Sequence, residues 1–119
     1  MSTPNFLAPQ TNPFNLADVG DYITPTFADL DNDGDLDAFV GESEGNIVYF
    51  KNTGSVGNPS FAAPVYNPFN LADVGIESKP AFADLDNDGD LDAFVGEWGG
   101  DIVYFKNTGS VGNPSFAAP

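Results

Sequence analysis

Five aspartates fall within nine residues at 29–37 (DLDNDGDLD), and the same nine residues return at 84–92. Carboxylates at alternating positions of a tight loop can converge on one point, and Gly34 and Gly89 permit the sharp turn this requires. Two unpaired carboxylates about 4 Å apart repel by roughly 4 kcal/mol at an effective dielectric near 20. Crowding of that kind makes more sense around a bound cation than in a solvated acidic turn. Calcium takes about six to eight hard oxygen donors, whereas magnesium prefers a water-rich octahedral shell. The expected metal residues are Asp29, Asp31, Asp33, Asp35 and Asp37 in the first loop and Asp84, Asp86, Asp88, Asp90 and Asp92 in the second, giving two Ca2+ sites per chain. Asp35 and Asp90 would contribute most simply through their backbone carbonyls. An EF-hand begins in the same way but carries Glu at its twelfth position, where this chain has Val40 and Val95.

The loops belong to a repeat that organises the whole chain. Residues 12–64 align with 67–119 at a period of 55, and eight of the 53 aligned positions differ. A partial third copy stands at the front, where PNFLAP at 4–9 matches PSFAAP at 59–64 and 114–119. The expected units are a surplus outer strand at 1–11 and blade repeats at 12–66 and 67–119. Within the first repeat, strand-like runs at 24–28, 37–40, 47–50 and 61–63 alternate with turn signals. The second and third runs are almost continuously apolar, which predicts strands covered on both faces. A four-stranded unit buried on both sides is a propeller blade. The fold expected is all-β, with two four-stranded antiparallel blades per chain.

The segment FADLDNDGDLDAFVGE, followed by GNIVYFKNTG and NPSF, resembles the FG-GAP/VCBS repeats of integrin α-subunits, bacterial surface proteins and certain fungal lectins. The resemblance covers essentially the whole chain. It implies a β-propeller with calcium in the hairpin joining the first two strands of each blade, on the aspartates already named. It also implies an extracellular or cell-surface parent protein, although the opening MSTPNFLAP lacks the charged and apolar regions of a signal peptide. Propellers of that family close within one chain, which two blades cannot do.

Composition removes several classes of function. The chain holds 18 acidic residues against three basic ones, for a net charge of −15, so no basic patch exists for nucleic acid and anionic membrane surfaces are disfavoured. No apolar run reaches the length of a membrane span. Without His, Cys or Arg, the usual general bases and thiol nucleophiles are missing, and no catalytic residue is expected. A polysaccharide-cleaving enzyme using paired carboxylates is the least favoured reading.

The eight differing positions fall at 21–26 against 76–81 and at 43–46 against 98–101, at one end of the expected blades. Variation there fits either neutral drift or a lectin-like surface for a glycan or small ligand, with Tyr22, Glu42, Glu97 and Trp98 as its candidates. Glu42 and Glu97 are otherwise solvated turn residues, while Phe27, Phe39, Phe50, Phe61 and Tyr49 read as core between blades.

The favoured reading is a scaffold that assembles with itself. Two blades leave an apolar face at each end, and faces drawn from one repeated sequence complement each other head to tail. Propellers typically have about four to eight blades, so a homo-trimer is expected ahead of a tetramer. PNFLAP of one chain and PSFAAP of its neighbour are then candidates for the same outer-strand site.

Overall fold

The computed structural model describes residues 3, 5–55, 57–110 and 112–119. Pro4, Val56 and Val111, which belong to segments discussed above, lie outside the described residues. The structure is all-β. Strands β1 (Thr24–Ala28), β2 (Asp37–Gly41), β3 (Ile47–Phe50) and β4 (Val65–Tyr66) form one antiparallel sheet in that order. Strands β5 (Lys79–Ala83), β6 (Asp92–Gly96) and β7 (Ile102–Phe105) form a second antiparallel sheet of three strands. One short 3-10 turn (Pro13–Asn15) precedes β1. No helix of the described residues is long and apolar enough to cross a membrane.

The fourth run of the repeat is where expectation and structure part. Residues 61–63 do not form a strand. Phe61 makes a single bridge to Asn52, and the pairing with β3 comes from Val65–Tyr66 instead. Pro59 and Pro64 flank the run and supply no N–H to a ladder, so the pairing stops at that bridge and at the Ala62 N–H bond to Lys51 O, with Phe61 alone of the three residues buried. Phe61 and its counterpart Phe116 are buried.

The two sheets stack in the same orientation. Phe39, Ile47 and Tyr49 point from the first sheet toward the second and share a core with Ala93, Val95 and Phe105. On the opposite face of the first sheet, Ala38, Val40, Val48 and Phe50 form a smaller cluster, covered by Leu16, Val19 and Phe61. Strand alternation makes this segregation automatic. The seam between the sheets is aromatic: Phe82 lies 4.5 Å from Phe39, and Phe69 lies 5.2 Å from Tyr49, centroid to centroid.

This stacking leaves two unlike faces open. β2 and β3 are buried along their whole length, as expected, whereas β7 is largely open. Ile102 is 73% exposed and Tyr104 40%, although their counterparts Ile47 and Tyr49 are buried. At the other end Phe27 and Phe14 are exposed, so Phe27 is not core within the chain. They line an apolar groove of about 390 Å³ with Leu16, Leu36 and Phe61. Phe82 and Phe69, their counterparts one repeat later, fill the seam. Of the duplicated PxF segments, neither forms the expected outer strand: Phe116 is buried with a single bridge to Asn107, Phe6 is 91% exposed, and the second sheet, expected to have four strands, has three among the described residues.

Candidate metal centres

Each acidic loop is folded by its own side chains. Asp29 follows β1 directly, and its two carboxylate oxygens accept the Asp33 and Gly34 N–H groups, both at 3.0 Å. Asp33 then accepts the Asp35 N–H at 3.0 Å. Asn32 adopts φ 59° and Gly34 φ +90°, left-handed conformations that Asn tolerates and Gly adopts freely. The second loop repeats these bonds at 3.1, 2.9 and 3.0 Å. The loop closes on Asp37, the first residue of β2. Its side chain is fully buried, and one oxygen accepts the Asn52 N–H at 2.8 Å.

The chain thus gathers most of the expected ligands. Carboxylate oxygens of Asp29, Asp31 and Asp37 lie within 4.8 Å of one another, as do those of Asp84, Asp86, Asp88 and Asp92. The carboxylates of Asp33, Asp35 and Asp90 are not gathered into these groups. Asp33 is held by its own loop and by a lysine, and its pKa is lowered to about 2 by the Asp35 N–H first and the Lys51 ammonium next.

Two features fit these clusters to a cation. Asp31 Oδ1 and Asp92 Oδ2 are buried and have no hydrogen-bond partner among the described residues. A buried anionic oxygen left unpaired costs several kcal/mol, roughly, unless a cation meets it. The carboxyl of Asp37 is pushed up to about 6, chiefly by burial and then by the charge of Asp31, against the lowering effect of the Asn52 N–H. Asp92 is raised for the same first reason. The donor set, all hard oxygen, fits a divalent cation of the calcium type.

The sequence reading missed Lys51 and Lys106. Lys51 Nζ pairs with Asp31 and lies 3.0 Å from Asp33, and Lys106 repeats the arrangement on Asp86 and Asp88. Their ammonium groups are held well above the ordinary lysine range, mainly by the hydrogen bond to Asp31 and to Asp86 respectively. The signal was present: two of only three basic residues stand at equivalent positions at the end of β3 and β7, the end where the acidic hairpin lies. Each lysine stands in for part of a cation's charge. One positive charge against five carboxylates still leaves a deficit of four per loop.

The four candidates for ligand recognition do not converge on one site. Glu42 is buried rather than solvated, because the second unit covers it, and its Oε1 accepts the Asn46 N–H at 2.6 Å. Glu97 closes the equivalent turn by accepting the Asp101 N–H at 2.8 Å. Tyr22 and Trp98 are exposed, one on each unit.

Stacked antiparallel sheets, each with an aspartate loop between its first two strands, define an all-β repeat protein with paired acidic centres. Residues 29–95, more than half of the chain, match the FG-GAP-like repeat family, and the chain belongs to it. No curated protein and no solved structure matches the chain in the corresponding searches.

Proposed function

We propose that the protein is a calcium-binding propeller module that assembles with copies of itself into a closed ring and serves as a structural and interaction scaffold. FG-GAP-like repeats are in general non-catalytic modules, and that membership supports reading the chain as a scaffold rather than an enzyme. The observation that carries the reading is the relation between the two open faces. Phe94 and Tyr104 stack at 5.0 Å with a 29° tilt, the geometry of Phe39 and Tyr49 at 5.0 Å and 30°. Phe27 and Phe14 stand where Phe82 and Phe69 stand one repeat later. One end of the chain therefore carries half of the internal seam, and the other end carries its complement. A second copy is the partner that matches both. Contacts of this head-to-tail kind close into a ring when the rotation allows, and three chains would give six blades.

Calcium would be held in the first unit by Asp29, Asp31 and Asp37 with the remainder of the 29–37 loop, and in the second by Asp84, Asp86, Asp88 and Asp92. Bound there, the ion supplies positive charge that neutralises the loop and ties the start of β2 or β6 to the end of the preceding strand. Asp29 and Asp84 shape the loop, and Asp37 and Asp92 anchor it in the core.

Lys51 and Lys106 would compete with the ion for the same oxygens. Lys51→Met is expected to tighten calcium binding at the first site several-fold, since a nearby like charge is removed, while lowering the melting temperature of the metal-free protein. Isothermal titration with calcium, with a thermal melt in EDTA, checks both. Weaker binding in the variant would show that the lysine supports the ion rather than competing with it.

A further inference from the structure

Of the eight aligned positions at which the repeats differ, at least five have a residue beside the seam between the units, and that placement gives them a role. Within the chain, the turn at 43–46 meets the lead-in to β5. Ser43 O accepts the Glu77 N–H at 2.9 Å, Glu42 O accepts the Ser78 N–H at 3.2 Å, and Gly45 O accepts the Val74 N–H at 3.2 Å. Ser78 is fully buried, and its hydroxyl donates to Asn46 O at 2.7 Å and accepts the Glu42 N–H at 3.2 Å. This edge of the otherwise aromatic seam is joined by polar groups, and five of its residues (Ser43, Asn46, Ile76, Glu77 and Ser78) are variable positions.

The equivalent halves at the open ends carry different chemistry. The turn at 98–101 presents Trp98 where Ser43 stands, and the lead-in to β1 presents Tyr22 and Ile23 where Glu77 and Ser78 stand. Trp98 is 71% exposed, Tyr22 74% and Ile23 49%. The backbone is already set for the same docking, since Tyr22 adopts φ 53° and Glu77 φ 55°. Large apolar side chains in left-handed or turn conformations at an open edge gain nothing in water, and they are placed to meet one another only when two copies stack.

Resting on the self-assembly reading above, we infer that Trp98 of one copy packs on Tyr22 and Ile23 of the next, so that the edge of the seam between copies is apolar where the same edge inside the chain is polar. The Tyr22 and Ile23 N–H groups then bond to the Trp98 and Glu97 carbonyls, as Glu77 and Ser78 bond to Ser43 and Glu42. The two edges are not interchangeable. Setting Trp98 against Glu77 would lay an indole over a carboxylate and strip it of water. Each kind of edge therefore selects its own partner, and units alternate around the ring. Tyr22 and Trp98, the candidates for a glycan surface, become the residues that choose the neighbouring chain.

Trp98 is the sole tryptophan, so it reports directly on this contact. The experiment is a dilution series of the calcium-loaded protein, following mass by light scattering and Trp98 by emission maximum and acrylamide quenching. Assembly is expected to shift the emission to the blue and to lower quenching several-fold, both tracking the mass. Trp98→Ala and Tyr22→Ala should each raise the concentration for half-assembly at least about tenfold, as aromatic anchors at interface centres do, and the double variant should cost little more than the worse single one. An assembled protein whose Trp98 remains as quenchable as free tryptophan would overturn the apolar edge and leave the ring standing. A wild-type chain that stays monomeric throughout would instead remove the self-assembly reading, and this inference with it. Emission that responds to added sugar but not to mass would return these residues to ligand recognition and overturn the proposal.

Discussion

Calcium is expected to raise the melting temperature of the protein by about 10 °C or more over its value in EDTA. Sites on extracellular modules bind with dissociation constants on the order of 10⁻⁴–10⁻³ M. At a hundredfold excess over the dissociation constant, one site adds about 2.7 kcal/mol to a folded state that alone binds the ion. A small domain gains roughly 4–8 °C for each kcal/mol. The structure gives the same direction independently. Asp31 Oδ1 and Asp92 Oδ2 are buried without partners among the described residues, and burial raises the pKa of Asp37 and Asp92. A divalent cation held at these oxygens would offset both costs. Melting curves in calcium and in EDTA, with elemental analysis of the purified protein, make the check. Equal melting temperatures and no bound metal would leave the two acidic loops without the role assigned to them.

The second large effect comes from two equivalent glycines. A Cβ built on Gly41 would lie 1.9 Å from Ser78 O, because the second unit presses against β2 there. On Gly96 the same atom meets only Lys79 Cβ, at 3.9 Å. Gly41→Ala is therefore expected to force the seam apart and to destabilise the chain by several kcal/mol, about as much as a badly overpacked core. Gly96→Ala should leave the stability of the isolated chain within about 0.5 kcal/mol of wild type, as an unobstructed surface substitution does. In a ring, however, its methyl would face the Ile23 carbonyl of the next copy, as Gly41 faces Ser78. Gly96→Ala should thus convert the assembly to folded monomers, read by sedimentation and circular dichroism. A variant that assembles as well as wild type would mean that the edge at β6 is not a seam.

Much of this architecture was legible before any coordinates, for identifiable reasons. β1 and β3 occupy the segments at which their apolar runs were read, and β2 adds only Gly41, because each run is bounded by unambiguous turn chemistry: the aspartate loop, the turn at 43–46 and the NTGS segment. The acidic loops were legible because five carboxylates in nine residues are hard to place without a cation. What the sequence hid depends on partners far along the chain. Phe61 looks like part of a strand, yet with proline on either side its pairing is cut to a single bridge. Glu42 looks solvated until the second unit, more than thirty residues later, covers it. Phe27 and Phe82 occupy the same place in their repeats, but only Phe82 has a neighbouring sheet to bury it. Lys51 was overlooked because its partners lie two strands back, at a hairpin end that local pattern does not join to the end of β3. The variable positions looked like drift at an exposed rim because nothing local reveals that two of those segments face each other across a seam.

The measurement that bears most directly on this account is the mass of the protein in solution with calcium and after its removal. With calcium, light scattering coupled to size exclusion should give a discrete species at three times the 12.5 kDa of the chain. In EDTA that species should dissociate, since the loops that brace each unit lose their cation. A stable species of 12.5 kDa in calcium, unchanged across concentration and indifferent to EDTA, would contradict both halves of the account.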